Sequence, residues 1–155
     1  MKKEYELLIQ DEVRVISLLA NTSAFIMEKV KDLNWVGFYT ADNNVLYLNA
    51  FQGKVACSVI PFERGVCGKA ATTQKVINVP DVHKFDDHIA CDSASNSELV
   101  IPLVHQGITY ALLDIDSPKL NRFDKNLEQE LVEIVQILYK KIDSLITAKD
   151  KLWNN

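Results

Sequence analysis

Three short runs in the first half of the chain, "NWVGFYT", "NVLYLNAF" and "ACSVIPF", limit the fold more than any other feature. Each is rich in aromatic and β-branched residues, and the turn-prone "ADNN" and "QGK" separate them, which is the pattern of an antiparallel meander. A meander must bury its apolar face against something, and the two ends of the chain supply it. From Tyr5 to Val30 the residues Leu7, Leu8, Val13, Ile16, Leu19, Phe25, Ile26 and Val30 recur at helical spacing, with "ANTS" at 20–23 expected to break the run into a pair of amphipathic helices. From an N-cap at Asp124, the residues Leu127, Leu131, Ile134, Leu138, Ile142 and Leu145 trace one stripe of a closing helix. That stripe either packs on the sheet or forms a seam with a partner. Between the ends, "VCGKAATTQ" reads as a short helix and "KVINVP" as a strand, while "ELVIPLVH" and "ITYALLDID" form a hairpin turning at Gln106-Gly107. This order of elements is α+β, with a central antiparallel sheet and helices against it.

A chain of 155 residues fits one domain, residues 1–155, able to bury about two thirds of its unfolded surface without a structural metal. Its net charge of −4 and the absence of a Lys/Arg cluster argue against a nucleic-acid surface. No apolar run is long enough to span a bilayer, so a cytoplasmic protein with small-molecule or protein partners is expected. In such a compartment three cysteines act as reactive or inert thiols, since they cannot all pair within one monomer.

Cys91 stands in "HIACDSASNSE", a run of small polar residues that marks a loop, with His88 before it to favour the thiolate. Access and thiolate character are the two conditions for a nucleophilic cysteine. Cys57 in "VACSVI", expected within a strand, and Cys67 in "GVCGKAA" fit either reactive thiols or inert core positions. A zinc site built from the cysteines with His83 and His88 is poorly supported, because no C-x-x-C pair occurs, and the expected metal content is none. Asp114 and Asp116 lie two apart in "YALLDIDSP"; on a strand they share a face and repel, inviting a cation such as a ligand's ammonium group. If the strand has already ended, they merely cap a turn before Pro118. Glu98 opens "ELVIPLV" either as a solvated edge acid or, if desolvated, as a general acid with a raised pKa. Trp35 and Tyr39 share a strand face as core residues or as one wall of a pocket for a small amphipathic ligand.

The runs "NWVGFY", "FQGKVAC", "IPFERGVCGKAA", "VPDVHKFDDHIACDSASNSELVIPL" and "LLDIDSP" closely resemble the free methionine-R-sulfoxide reductases, which are single GAF domains. The resemblance covers about residues 15 to 125 and includes all three cysteines. It implies a GAF-like six-stranded antiparallel sheet flanked by N- and C-terminal helices, assembled as a homodimer, that reduces the R epimer of free methionine sulfoxide. By the same resemblance Cys91 is the nucleophile, Cys57 the resolving thiol and Cys67 an accessory or alternative thiol. Glu98, Asp114 and Asp116 match substrate-binding acids, and Trp35 and Tyr39 match the wall around the methyl end. Where this chain has Asp86-Asp87 the family often carries Pro-Gly; Lys69 and Ala111 are further departures.

The chemistry of the residues fits that implication. A Cys91 thiolate attacks the sulfoxide sulfur while Glu98 donates a proton to its oxygen, leaving methionine and a sulfenic acid. The sulfenic acid condenses with Cys57 or Cys67, and an external dithiol such as thioredoxin reduces the disulfide, with no bound cofactor. The rival is a ligand-sensing GAF module without catalysis, since the fold binds many small molecules.

Overall fold

Alternation of apolar and polar side chains selects six strands, and the computed structural model, which describes residues 1–87, 89, 91 and 93–146, joins them in one sheet. The elements are α1 (Lys2–Ile9), α2 (Val15–Lys29), β1 (Trp35–Asp42), β2 (Val45–Gly53), β3 (Val59–Pro61), α3 (Gly65–Thr73), β4 (Ile77–Val79), β5 (Ser97–His105), β6 (Ile108–Ser117) and α4 (Lys125–Leu145). The strand order is β3-β2-β1-β6-β5-β4, and every neighbouring pair is antiparallel. The α+β expectation with a six-stranded antiparallel sheet holds. Asn43 and Asn44 turn β1 into β2 with φ of 49° and 60°, and Gln106-Gly107 turn β5 into β6 with φ of 50° and 77°. Two successive left-handed residues give the twist that a two-residue hairpin requires.

One face of the sheet packs against α1, α2 and α4. Val36 and Phe38 of β1, Leu99 and Ile101 of β5 and Leu113 and Ile115 of β6 meet Leu18 and Ile26 of α2 and the α4 stripe there. Asp124 caps α4, its Oδ1 accepting from the Leu127 backbone N–H at 2.9 Å. Leu131, Ile134, Leu138 and Ile142 are fully buried within this chain, so the stripe belongs to the core and not to a seam. Leu131→Ala is expected to cost about 2–5 kcal/mol of unfolding free energy, read as a lower midpoint in denaturant titration.

Two expectations need correction. "ANTS" does not break a helix; it lies inside α2, where Thr22 and Ser23 donate back to the carbonyls of Leu18 (2.6 Å) and Leu19 (2.9 Å). Their hydroxyls are thereby satisfied without leaving the helix. The break falls at residues 10–14 instead, where the Glu12 carboxylate accepts from the backbone N–H groups of Val13 and Arg14. The run "ACSVIPF" is strand only at Val59–Pro61, so Cys57 sits in the loop before β3.

Candidate active site

The second face of the sheet is where side-chain alternation gathers the polar residues. With Val36, Phe38, Leu99, Leu113 and Ile115 committed to the helices, Trp35, Tyr39, Glu98, Asp114 and Asp116 emerge on the opposite side and line one pocket. Register places them in rows. Trp35 pairs with Asp116 and Asp116 with Glu98, so an indole and two acids run straight across β1, β6 and β5. Asp114 occupies the next row, between Gly37 and Val100. A Cβ on Gly37 would come within 2.5 Å of the Trp35 ring and 2.4 Å of Phe51 Cβ. Glycine thus lets the indole lie along the strand, stacked on Tyr39 and Phe51 with centroid distances of 6.0 and 5.3 Å.

Both aromatics also hold the loop between β2 and β3. Trp35 Nε1 donates to the Lys54 carbonyl at 3.1 Å, and the Tyr39 hydroxyl donates to the Cys57 carbonyl at 2.8 Å. Cys57 is thereby brought over the pocket, where it forms a disulfide with Cys91, the Cα atoms 5.7 Å apart. Cys67, on the α3 turn that packs on the sheet, remains a free, buried thiol with Sγ 3.9 Å from Glu98 Oε1.

Nothing in the sequence singles out the clamp that holds the segment before Cys91. Arg64 Nε donates to both Asp87 carboxylate oxygens, at 2.9 and 3.0 Å, and the Gly65 N–H donates to Asp87 Oδ2 at 3.3 Å. The guanidinium holds the Asp87 carboxyl below its usual pKa. Asp87 has a φ of 65°, a conformation that favours the glycine often found there in the resembling family. Here the aspartate adopts it and gains an ion pair. Ile89 then packs on Gly65, where a Cβ would meet its side chain at 3.1 Å. Ser95 also lines the pocket and is buried, accepting from Asn34 Nδ2 at 3.0 Å.

Glu98 is no solvated edge acid: it is 6% exposed, and burial, reinforced by the Asp116 charge, pushes its pKa up to about 8. Burial, followed by the Glu98 charge, pushes Asp114 well above the carboxylate range. Burial, followed by the Asp114 and Glu98 charges, likewise holds the Cys67 thiol protonated. β6 runs through Asp114 and Asp116, so neither is a turn cap, and Asp116 is half-buried. Three acidic groups thus share the pocket with their protons held on by burial, and a cation entering beside them displaces protons. A zinc site drawn from the three cysteines with His83, poorly supported by the sequence, does not assemble among the described residues. Cys57 and Cys91 are bonded to each other, and His83 Nε2 lies 2.8 Å from Asn96 Oδ1. His88, expected to favour the Cys91 thiolate, lies outside the described residues.

A six-stranded antiparallel sheet with α1, α2 and α4 on one face, and α3 beside a pocket on the other, is the architecture of a GAF domain, and residues 6–139 match the GAF domain family. The chain belongs to the free methionine-R-sulfoxide reductases within that family. It is 46% identical over 140 residues to the free methionine-R-sulfoxide reductase of Escherichia coli (strain K12), covering 90% of this chain and 85% of that protein. The Saccharomyces cerevisiae protein of the same name is 41% identical over 145 residues, covering 88% of this chain and 80% of that one. Among solved structures, free methionine-R-sulfoxide reductase from Neisseria meningitidis in complex with its substrate superposes with a TM-score of 0.88 at 40% identity. That match covers 93% of this chain and 87% of the other.

Proposed function

We propose that this chain, acting as a single GAF domain, reduces free L-methionine R-sulfoxide to L-methionine. The observation that carries the proposal is the Cys57–Cys91 disulfide roofing a pocket that holds a proton on Glu98. In the reduced protein the Cys91 thiolate attacks the sulfoxide sulfur as Glu98 gives its proton to the oxygen. The hydroxyl passes to the Cys91 sulfur as the new sulfur–sulfur bond breaks, so methionine leaves reduced by two electrons and Cys91 is left as a sulfenic acid. The Cys57 thiol attacks that sulfur, water departs, and the observed disulfide forms. Cys67, buried and protonated, is the accessory thiol. A thioredoxin-like dithiol restores Cys91 and Cys57 without a bound cofactor, a cycle suited to the cytoplasm.

Trp35 and Tyr39 hold the methyl end of the substrate, and Asp114 and Asp116 take its α-ammonium group. Entry of that cation lets Asp114 release the proton that burial otherwise keeps on it. Among the described residues no helix is long and apolar enough to cross a membrane. Leu7, Val13 and Ile16, exposed around the α1–α2 junction, offer apolar surface to the second copy of a homodimer.

The decisive experiment follows free R- and S-sulfoxide separately, with the pure protein and dithiothreitol. Consumption of the R epimer alone supports the proposal; a folded protein that consumes neither refutes it and favours a sensor. N-acetylation removes the ammonium charge, so N-acetyl-methionine R-sulfoxide is expected to turn over about 10- to 100-fold more slowly, measured as kcat/KM. Arg64→Ala frees the segment before Cys91, but an exposed pair contributes little. A fall in kcat of no more than about fivefold is expected, narrowing at high salt as the wild-type pair is screened.

A further inference from the structure

Cys67, Glu98 and Asp114 come from α3, β5 and β6, and one ligand atom from each lies within 4.8 Å of the other two. All three are more than nine-tenths buried, and all line the pocket beneath the disulfide. The Asp114 carboxyl interacts with Glu98 and Cys67, yet its Oδ1 is buried with no hydrogen-bond partner, an arrangement that ordinarily costs free energy. Fixed protein groups that leave such an oxygen unsatisfied at the floor of a pocket call for a ligand there. A cation answers, since these acids crowd together with half-buried Asp116 alongside.

We propose that the oxidised protein binds one thiophilic divalent cation of the Zn2+ class through Cys67 Sγ, a Glu98 carboxylate oxygen and Asp114 Oδ1. One thiolate and two carboxylates form a three-ligand set, and the pocket leaves the fourth position to water. A tetrahedral zinc site with these bond lengths needs its sulfur and oxygen ligands about 3.5 Å apart. Cys67 Sγ and Glu98 Oε1 are 3.9 Å apart, so small side-chain rotations close the site. The innermost part of the pocket is about 40 Å3, enough for an ion with a bound water. Binding displaces the protons on the thiol and the two carboxyls, and the released protons go to solvent. The disulfide keeps Cys57 and Cys91 out of the ligand set, so this site differs from a chelate of the redox thiols.

The test titrates Cd2+ alone into the oxidised full-length protein, with one free thiol verified after denaturation. One equivalent should bind with a thiolate-to-cadmium ultraviolet band and release of protons. Losing even an outer partner of a metal site weakens it tenfold or more, so Glu98→Gln and Asp114→Asn should each weaken binding by at least about tenfold. Cys67→Ala, or Cys67→Ser if the alanine variant does not fold, should abolish the band. No band in the folded wild type overturns the proposal, as does unchanged affinity in either carboxamide variant, which marks an adduct of the thiol alone. The titration involves no turnover, so its failure leaves the reductase proposal standing, and failure of catalysis leaves the metal site standing.

Discussion

Cys91→Ser is expected to lower kcat/KM for free methionine R-sulfoxide by at least about 10^4-fold, the order of loss seen when a covalent nucleophile is removed. A serine hydroxyl stays protonated at neutral pH and forms no sulfenic acid, so neither the first step nor the second can run. The change should leave the fold intact, because Cys91 sits half-buried in a loop and contributes nothing to the sheet. Thermodynamics gives an independent check. The Cys57–Cys91 bond spans 34 residues, and closing a loop of that length stabilises by about 4 kcal/mol on the chain-entropy account. Oxidised wild type should therefore unfold at higher denaturant concentration than Cys91→Ser, and dithiothreitol should erase the difference. Appreciable sulfoxide turnover by the folded serine variant would exclude Cys91 as the nucleophile.

On the proposed mechanism Glu98→Gln removes the proton donor, and a loss of about 10^2- to 10^4-fold in kcat is expected. The pH dependence distinguishes this role from mere packing. A Glu98 acting as the proposed proton donor works only when protonated, and burial pushes its pKa up to about 8, so wild-type kcat/KM should fall as pH rises through that value. The residual activity of the glutamine variant should lack that alkaline limb. Stability responds in the same window. The carboxyl is raised from an ordinary 4.5 to about 8, so the folded chain keeps a proton that the unfolded chain has lost. Its contribution to stability is fully present below about pH 4.5 and is lost as pH rises through about 8. Glu98→Gln is neutral at every pH and should escape that fall, becoming the more stable protein on the alkaline side. A wild-type profile flat across this range would remove Glu98 from the mechanism.

Period-two alternation makes the pocket wall legible in the amino-acid sequence, because Trp35 with Tyr39 and Asp114 with Asp116 are each fixed to one face by spacing alone. The hairpin turns and the Asp124 cap are legible for a similar reason: each is set by two or three adjacent residues. Burial of Glu98 is not, since an acid at a strand end reads the same whether water or α3 covers it. The internal position of "ANTS" is hidden because Thr22 and Ser23 favour caps unless their hydroxyls find i−4 carbonyls. Cys57 leaves its expected strand through hydrogen bonds from Trp35 and Tyr39, residues about twenty positions away, which no local pattern encodes. The Arg64–Asp87 clamp escapes for the same cause: an arginine and an aspartate 23 positions apart carry no signal until the fold brings them together.

The space under the disulfide has a kinetic meaning. With Cys57 bonded to Cys91 above it, the sulfur proposed to attack the sulfoxide is itself tied up in a bond. The oxidised chain therefore cannot turn over sulfoxide until a dithiol has reduced that bond. The two half-reactions must alternate, each finishing before the other begins, so initial rates measured against both substrates should give the parallel lines of a ping-pong enzyme.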